Sequence, residues 1–156
     1  MTKRLKLAFV VQRYGIEVNG GAEYHCILLA EHLSNYYDVE VITTCAKDYI
    51  TWKNEYSKEK DIINNVIVWR CPVDYPRNIH KFEELSEKIF KNYHSIEDEI
   101  NWIKLQGPYS TKLLNFIKDK KDEYDYFIFF TYLYFPTVYG LHLIKDKAIF
   151  IPTAHD

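Results

Sequence analysis

Asn19-Gly20-Gly21-Ala22-Glu23 lies between an apolar run and a stretch of helical periodicity, a place where main chain can close on an anion. Glycines there let a ligand approach the backbone, and free amides at a helix start, with the helix dipole, favour negative charge. Phosphate is the natural guest; a plain tight turn is the other reading of the same two glycines. Spacing removes two common versions of this chemistry. Gly15, Gly20 and Gly21 do not form GxGxxG, which weighs against a nicotinamide or flavin site. GxxxxGK followed by Ser or Thr does not occur, so a P-loop is excluded.

His155-Asp156 follows the last apolar run, AIFIP. A histidine at the carboxyl end of a strand can hydrogen-bond a substrate hydroxyl, act as a base or steady a developing charge. An ordinary loop histidine has the same local sequence. His25 and His32, seven apart, share a helix face but lack a third ligand and the closer spacing of a metal site. His80, His94 and His142 have no companions. Cys45 ends an apolar run with no base beside it in sequence, the pattern of a buried thiol rather than a nucleophile. Tyr132, Tyr134, Phe135 and Tyr139 form an aromatic cluster that either packs or makes a stacking wall for a sugar or lipid acceptor.

The elements that must position these residues alternate between strand and helix. Leu5 to Gln12 reads as a strand covered on both faces, and Ala22, Cys26, Leu29, Ala30 and Leu33 recur at helical spacing. Val39 to Thr44 is a second strand, Lys47 to Lys60 is irregular, and Asn64-Asn65 turns into a third strand over Val66 to Val73. Helical periodicity runs from Ile79 to Tyr93. Ser95 to Asp98 reads as a capping box opening a helix to Leu105, and Ser110 opens another to about Asp119. Tyr126 to Thr131 and Ala148 to Pro152 complete five strands. This order predicts an α/β fold, a Rossmann-like doubly wound parallel sheet in a single domain over 1–156. Such sheets carry their ligand at the carboxyl ends of the strands, so a chain stopping at Asp156 reads as cut at the point where the site begins.

Bulk properties narrow the class. At 156 residues and 47% hydrophobic content the chain can bury one core. Twenty basic against 22 acidic residues leave a net charge of -2, which argues against a nucleic-acid partner held by phosphate neutralisation. Three widely spaced cysteines make neither a disulfide framework nor a zinc site, and Leu7 to Val11 is too short for a signal-peptide core, so the expected compartment is the cytoplasm. Tyr126 to Ile144 has no Asp, Glu, Lys or Arg, but its Tyr and Thr residues, Pro136, Gly140 and His142 suit a buried strand running into an aromatic loop better than a bilayer.

The runs KLAFVVQRYGIEVNGGAEYHCILLAEHLS, VEVITTCAKDYITWKNEY, FFTYLYFPTVYG and IPTAHD, taken in that order, resemble the amino-terminal half of retaining glycosyltransferases of the large family four, which have the two-domain GT-B architecture. The resemblance implies transfer of a sugar from a nucleotide-diphosphate donor to a glycan or lipid-linked saccharide acceptor, with retention and without a metal or other cofactor. It implies that Gly20 and Gly21 bind the donor phosphates and that His155 is the catalytic histidine beside the donor sugar. Asn19, Glu23, Tyr132, Tyr134 and Asp156 become candidate acceptor or sugar contacts. The family's carboxy-terminal, donor-binding domain and its E-x7-E motif are missing; Glu23 and Glu31 have that spacing but sit on the first helix. The 156 residues alone are therefore expected to be inactive, with peripheral contact at the inner face of a membrane as the one membrane role left open. Two other readings are a natural half-enzyme that pairs with a separate donor-binding chain, and an NAD-type sugar-nucleotide enzyme.

Overall fold

The computed structural model describes residues 3–153. Apolar runs of alternating side-chain direction make the strands Lys6–Val10 (β1), Asp38–Thr44 (β2), Lys60–Ile63 (β3), Val66–Cys71 (β4), Tyr126–Phe130 (β5) and Ala148–Ile151 (β6). Between them lie the helices Gly21–Leu33 (α1), Ile79–Lys91 (α2), Ile96–Gln106 (α3), Thr111–Lys120 (α4) and Phe135–Leu143 (α5). The six strands form one sheet in the order β3-β4-β2-β1-β5-β6. All neighbours are parallel except β3 with β4. The fold is the expected Rossmann-like α/β sheet.

Alternation along each strand sends side chains to both faces. Leu7, Phe9, Val41, Val68, Ile128 and Phe130 pack on one face with Cys26 and Ala30 of α1. Ala8, Val10, Ile42, Phe127 and Phe129 pack on the other with Leu113 and Ile117 of α4. Burial on both faces explains why these strands read as continuous apolar runs. From β1 the chain runs through α1 to β2 on one side, and later returns to place β5 on the other side of β1. The carboxyl ends of β1 and β5 therefore flank the topological switch point, where open α/β sheets leave a crevice.

Two elements depart from the sequence reading. The irregular stretch ends in β3, a four-residue strand pairing antiparallel with β4 across Asn64-Asn65. Both asparagines have positive φ, 47° and 68°, which suits a tight hairpin of right-handed twist. The expected aromatic loop after β5 is instead helical over Phe135–Leu143, with Pro136 in its first turn. Four of its nine residues, Phe135, Pro136, Thr137 and Gly140, are buried, so it has no polar stripe for a periodicity argument to find. Gly140 allows that packing: a Cβ there would lie 2.6 Å from Cε1 of Phe129. Among the described residues, no helix is long and apolar enough to cross a membrane.

Helices α2 and α3 pair through Phe82 and Trp102, whose ring centroids are 5.6 Å apart, and Trp102 Nε1 donates to Ser86 Oγ at 2.8 Å. The capping box forms as the sequence implied: Asp98 N donates to Ser95 Oγ and Ser95 N to Asp98 Oδ2. Lys88 lies 2.8 Å from the Asp98 carboxylate and, with the Ser95 amide, holds its pKa down at about 2. A depressed carboxylate stabilises the fold above its ordinary value of 3.8, and that contribution fades as pH falls toward 2. The Asp98 carboxyl carbon should thus titrate near 2, and Lys88→Met should move the midpoint up toward 3.8. An unchanged midpoint in that variant would remove Lys88 as the cause.

Candidate functional site at the switch point

A cavity of about 490 Å³ opens where the carboxyl ends of β1, β5 and β6 meet the start of α1. Gln12, Arg13, Asn19, Gly20, Gly21, Ala22, Glu23, Tyr49, Thr131, Tyr134 and Thr153 line it. Its geometry rests on one buried ion pair. Arg13 Nη2 lies 2.7 Å from Glu23 Oε1, Arg13 Nε donates to the same oxygen at 2.8 Å, and both side chains are nearly excluded from solvent. The guanidinium also donates to the carbonyls of Lys47 at 2.7 Å and Asn19 at 3.2 Å. One side chain from the end of β1 thereby fastens the glycine turn, the first turn of α1 and the loop after β2.

The two glycines serve different ends. Gly20 has an extended backbone, φ 177°, which any residue adopts, so conformation does not require glycine there. Space does: a Cβ on Gly20 would run into the Glu23 carboxylate and lie 3.1 Å from Arg13 Nη2. A Cβ on Gly21 would meet no atom of the described residues within 4 Å, which leaves open space among them in front of the first helical residue. Among the described residues, no side chain caps the start of α1. Its first-turn amides therefore face that space with the positive end of the helix dipole behind them. Glu23 alone would oppose an anion, but Arg13 neutralises it.

Three polar atoms complete the cavity. Gln12 Oε1, Thr131 Oγ1 and Thr153 Oγ1 are buried and have no hydrogen-bond partner among the described residues. Buried polar groups are almost always paired, so these three orphans in one cavity are atoms that water or the hydroxyl or amide of a guest can satisfy. Thr131 is also strained, with φ 63°, a conformation costly for a β-branched residue. Thr131→Gly should raise stability by about 1 kcal/mol through relief of that strain and removal of an unpaired hydroxyl. A lower urea midpoint in the variant would mean that the threonine packs more usefully than its backbone suggests.

Of the residues singled out in the sequence, Asn19, Gly20, Gly21, Glu23 and Tyr134 come together here. Tyr134 is half-buried, and desolvation raises its pKa. Tyr132 is 45% exposed and does not line the cavity. His155 and Asp156 lie outside the described residues. Cys26, Cys45 and Cys71 are buried free thiols whose pKa values are raised by desolvation, Cys71 to about 12, so each is protonated near neutrality. His25 packs edge-on against Phe130, and Glu31 accepts from Asn64 Nδ2 at 2.7 Å. Among the described residues, no group of three His, Cys, Asp or Glu could hold a metal ion. Sequence reasoning missed Gln12, Arg13, Tyr49, Thr131 and Thr153. Gln12 and Thr131 carried one usable signal, since each is the first polar residue after an apolar strand run.

Fold and cavity together define an α/β protein of Rossmann-like type with its crevice at the topological switch point. Comparison with protein-family models, curated proteins and solved structures finds no match.

Proposed function

We propose that this chain is the amino-terminal, acceptor-side domain of a retaining glycosyltransferase of the GT-B kind, working on a nucleotide-diphosphate sugar. The observation that carries the reading is the switch-point cavity, where an uncapped helix start with open space at Gly21 stands beside the orphaned oxygens of Gln12 and Thr131. One side of the cavity suits a phosphate and the other suits uncharged hydroxyls, as a sugar joined to a diphosphate requires. On this reading the amides of Gly21 and Ala22 stabilise charge growing on the leaving diphosphate, which strengthens as the glycosidic bond breaks. Gln12 and Thr131 orient sugar hydroxyls. His155, which the resemblance places beside the donor sugar, supplies a polar contact near the reacting carbon. The nucleotide itself is held by a second Rossmann-like domain beyond these 156 residues or on another chain.

A donor shared between two domains loses most of its contacts in one of them. Binding to this domain alone should be near 1 mM, about -4 kcal/mol. Titration with UDP-glucose and GDP-mannose, followed by backbone amide NMR, is expected to move Gly20, Gly21 and Glu23 at such concentrations. Unmoved amides with both donors would overturn the proposal. Tight binding of NAD at the same amides would favour a sugar-nucleotide dehydrogenase or epimerase, and full turnover by the 156 residues alone would refute the division of labour.

A further inference from the structure

A second cavity, of about 300 Å³, lies on the far side of an aromatic wall from the first. The wall is Trp52 against Tyr134, edge to face with centroids 5.5 Å apart; Tyr134 lines the first cavity and Trp52 the second. Among the described residues, three cations, Arg77, Lys81 and Lys104, line this second cavity, and no carboxylate does. Among the described residues none of the three has an ion-pair partner, in a chain whose acidic groups outnumber its basic ones. Asp48, whose charge acts on Arg77, is engaged by the amides of Ile50 and Thr51 at 2.8 and 2.7 Å.

The cavity is built rather than incidental. Trp52 is buried and holds φ 57°, a strained conformation for a residue with a side chain. Its Nε1 donates to the carbonyl of Gln106 at 2.8 Å, and Arg77 Nε donates to the same carbonyl at 3.1 Å. Arg77 is sandwiched between Trp52 and Phe82, 5.1 and 4.8 Å from their ring centroids. Tyr75 and Tyr109 stack with centroids 5.0 Å apart at 22°. Positive charge with no carboxylate of the described residues in ion-pairing distance, set above flat apolar surface, is the chemistry that takes a phosphate ester. The two lysines serve its oxygens, Arg77, whose Nε and Nη2 already donate to Gln106, adds charge, and the rings take the body that bears them.

We propose that this cavity is an anion subsite for a phosphate ester carried by the acceptor, which would then be a phosphorylated saccharide or polyol, in solution or attached to a lipid. The proposal takes the neighbouring crevice as the transfer site only in calling the ligand an acceptor. The binding itself stands apart from that reading.

The test compares glycerol 3-phosphate with uncharged glycerol by calorimetry, together with the Trp52 indole resonance. In parallel, vesicles of phosphatidylglycerol in phosphatidylcholine are compared with phosphatidylcholine alone by co-sedimentation. Both lysines can be replaced without touching the core, so K81Q/K104Q serves as the variant, with its thermal unfolding checked against wild type. Expected is binding of at least one phosphate-bearing probe, weakened about tenfold in the variant, with no response to the neutral control. Lysine-dependent binding of glycerol 3-phosphate marks a soluble ester, and lysine-dependent binding of the vesicles alone marks a lipid-borne one. Equal binding by wild type and variant, or no binding of either probe, overturns the proposal. Should nucleotide sugars leave Gly20 and Gly21 unmoved while glycerol 3-phosphate still requires Lys81 and Lys104, the transfer reading falls and this subsite remains.

Discussion

Glu23→Leu should lower the unfolding free energy by about 3–5 kcal/mol, the range for removing one partner of a buried ion pair. The cause is the guanidinium left behind. Arg13 would keep its carbonyl acceptors at Lys47 and Asn19 but lose the only carboxylate of the described residues within ion-pairing distance of it. A charge with side-chain exposure of 7% then has only those carbonyls and the Tyr49 ring, 5.4 Å from it, to set against its desolvation. The double variant Arg13→Met with Glu23→Leu removes both charges and should regain most of the loss, because apolar replacements of a buried pair are often neutral. Urea unfolding of the two single variants and the double variant closes the cycle. Single-variant costs below about 1 kcal/mol would show the pair to be solvated like a surface bridge.

Neighbouring glycines should respond in opposite ways to the same methyl group. Gly20→Ala forces a Cβ into the Glu23 carboxylate, 2.8 Å from its Cδ, and should cost about 1–3 kcal/mol. Gly21→Ala places its Cβ in open space at the first residue of α1 and should leave stability unchanged or raise it by up to about 1 kcal/mol. That methyl occupies the approach to the first-turn amides, so donor-induced shifts at Ala22 and Glu23 should need about tenfold more nucleotide sugar. Gly21→Ala thus separates the ligand from the fold. Two variants with equal stability would mean that the Glu23 carboxylate swings aside, and unchanged donor shifts in Gly21→Ala would place the anion elsewhere.

How much of this was legible beforehand depended on whether a residue's meaning was local. Strands β1, β2, β4 and β5 announced themselves because a strand covered on both faces has no reason to alternate. Ser95 and Asp98 foretold a helix start because both capping partners lie within one turn. Gly20 and Gly21 stood out because two glycines before a helical pattern have few structural uses. Arg13 did not, since its partner Glu23 is ten residues away and the contact exists only once α1 folds back beside the end of β1. Thr131 and Gln12 are single polar residues at strand ends, and they converge only when β1 and β5, 119 residues apart in the pairing of Leu7 with Tyr126, are laid side by side. Helix α5 was hidden for another reason: buried along much of its length, it offers aromatic residues where a surface helix would offer charges.

The two borders of the sheet are unequally guarded against one another's company. At one border β3 is four residues long, carries Lys60 and Asp61, and holds the Lys60 ammonium 4.8 Å above the Trp69 ring. Short, charged edges deter strands of other molecules from adding on. At the other border β6 reads AIFI, without a charge, and leaves Ile149 and Phe150 45% and 41% exposed. Crowding of these 156 residues at high concentration would therefore favour edge-to-edge strand addition at the uncharged β6 over β3, where Lys60 and Asp61 flank the exposed Ile62.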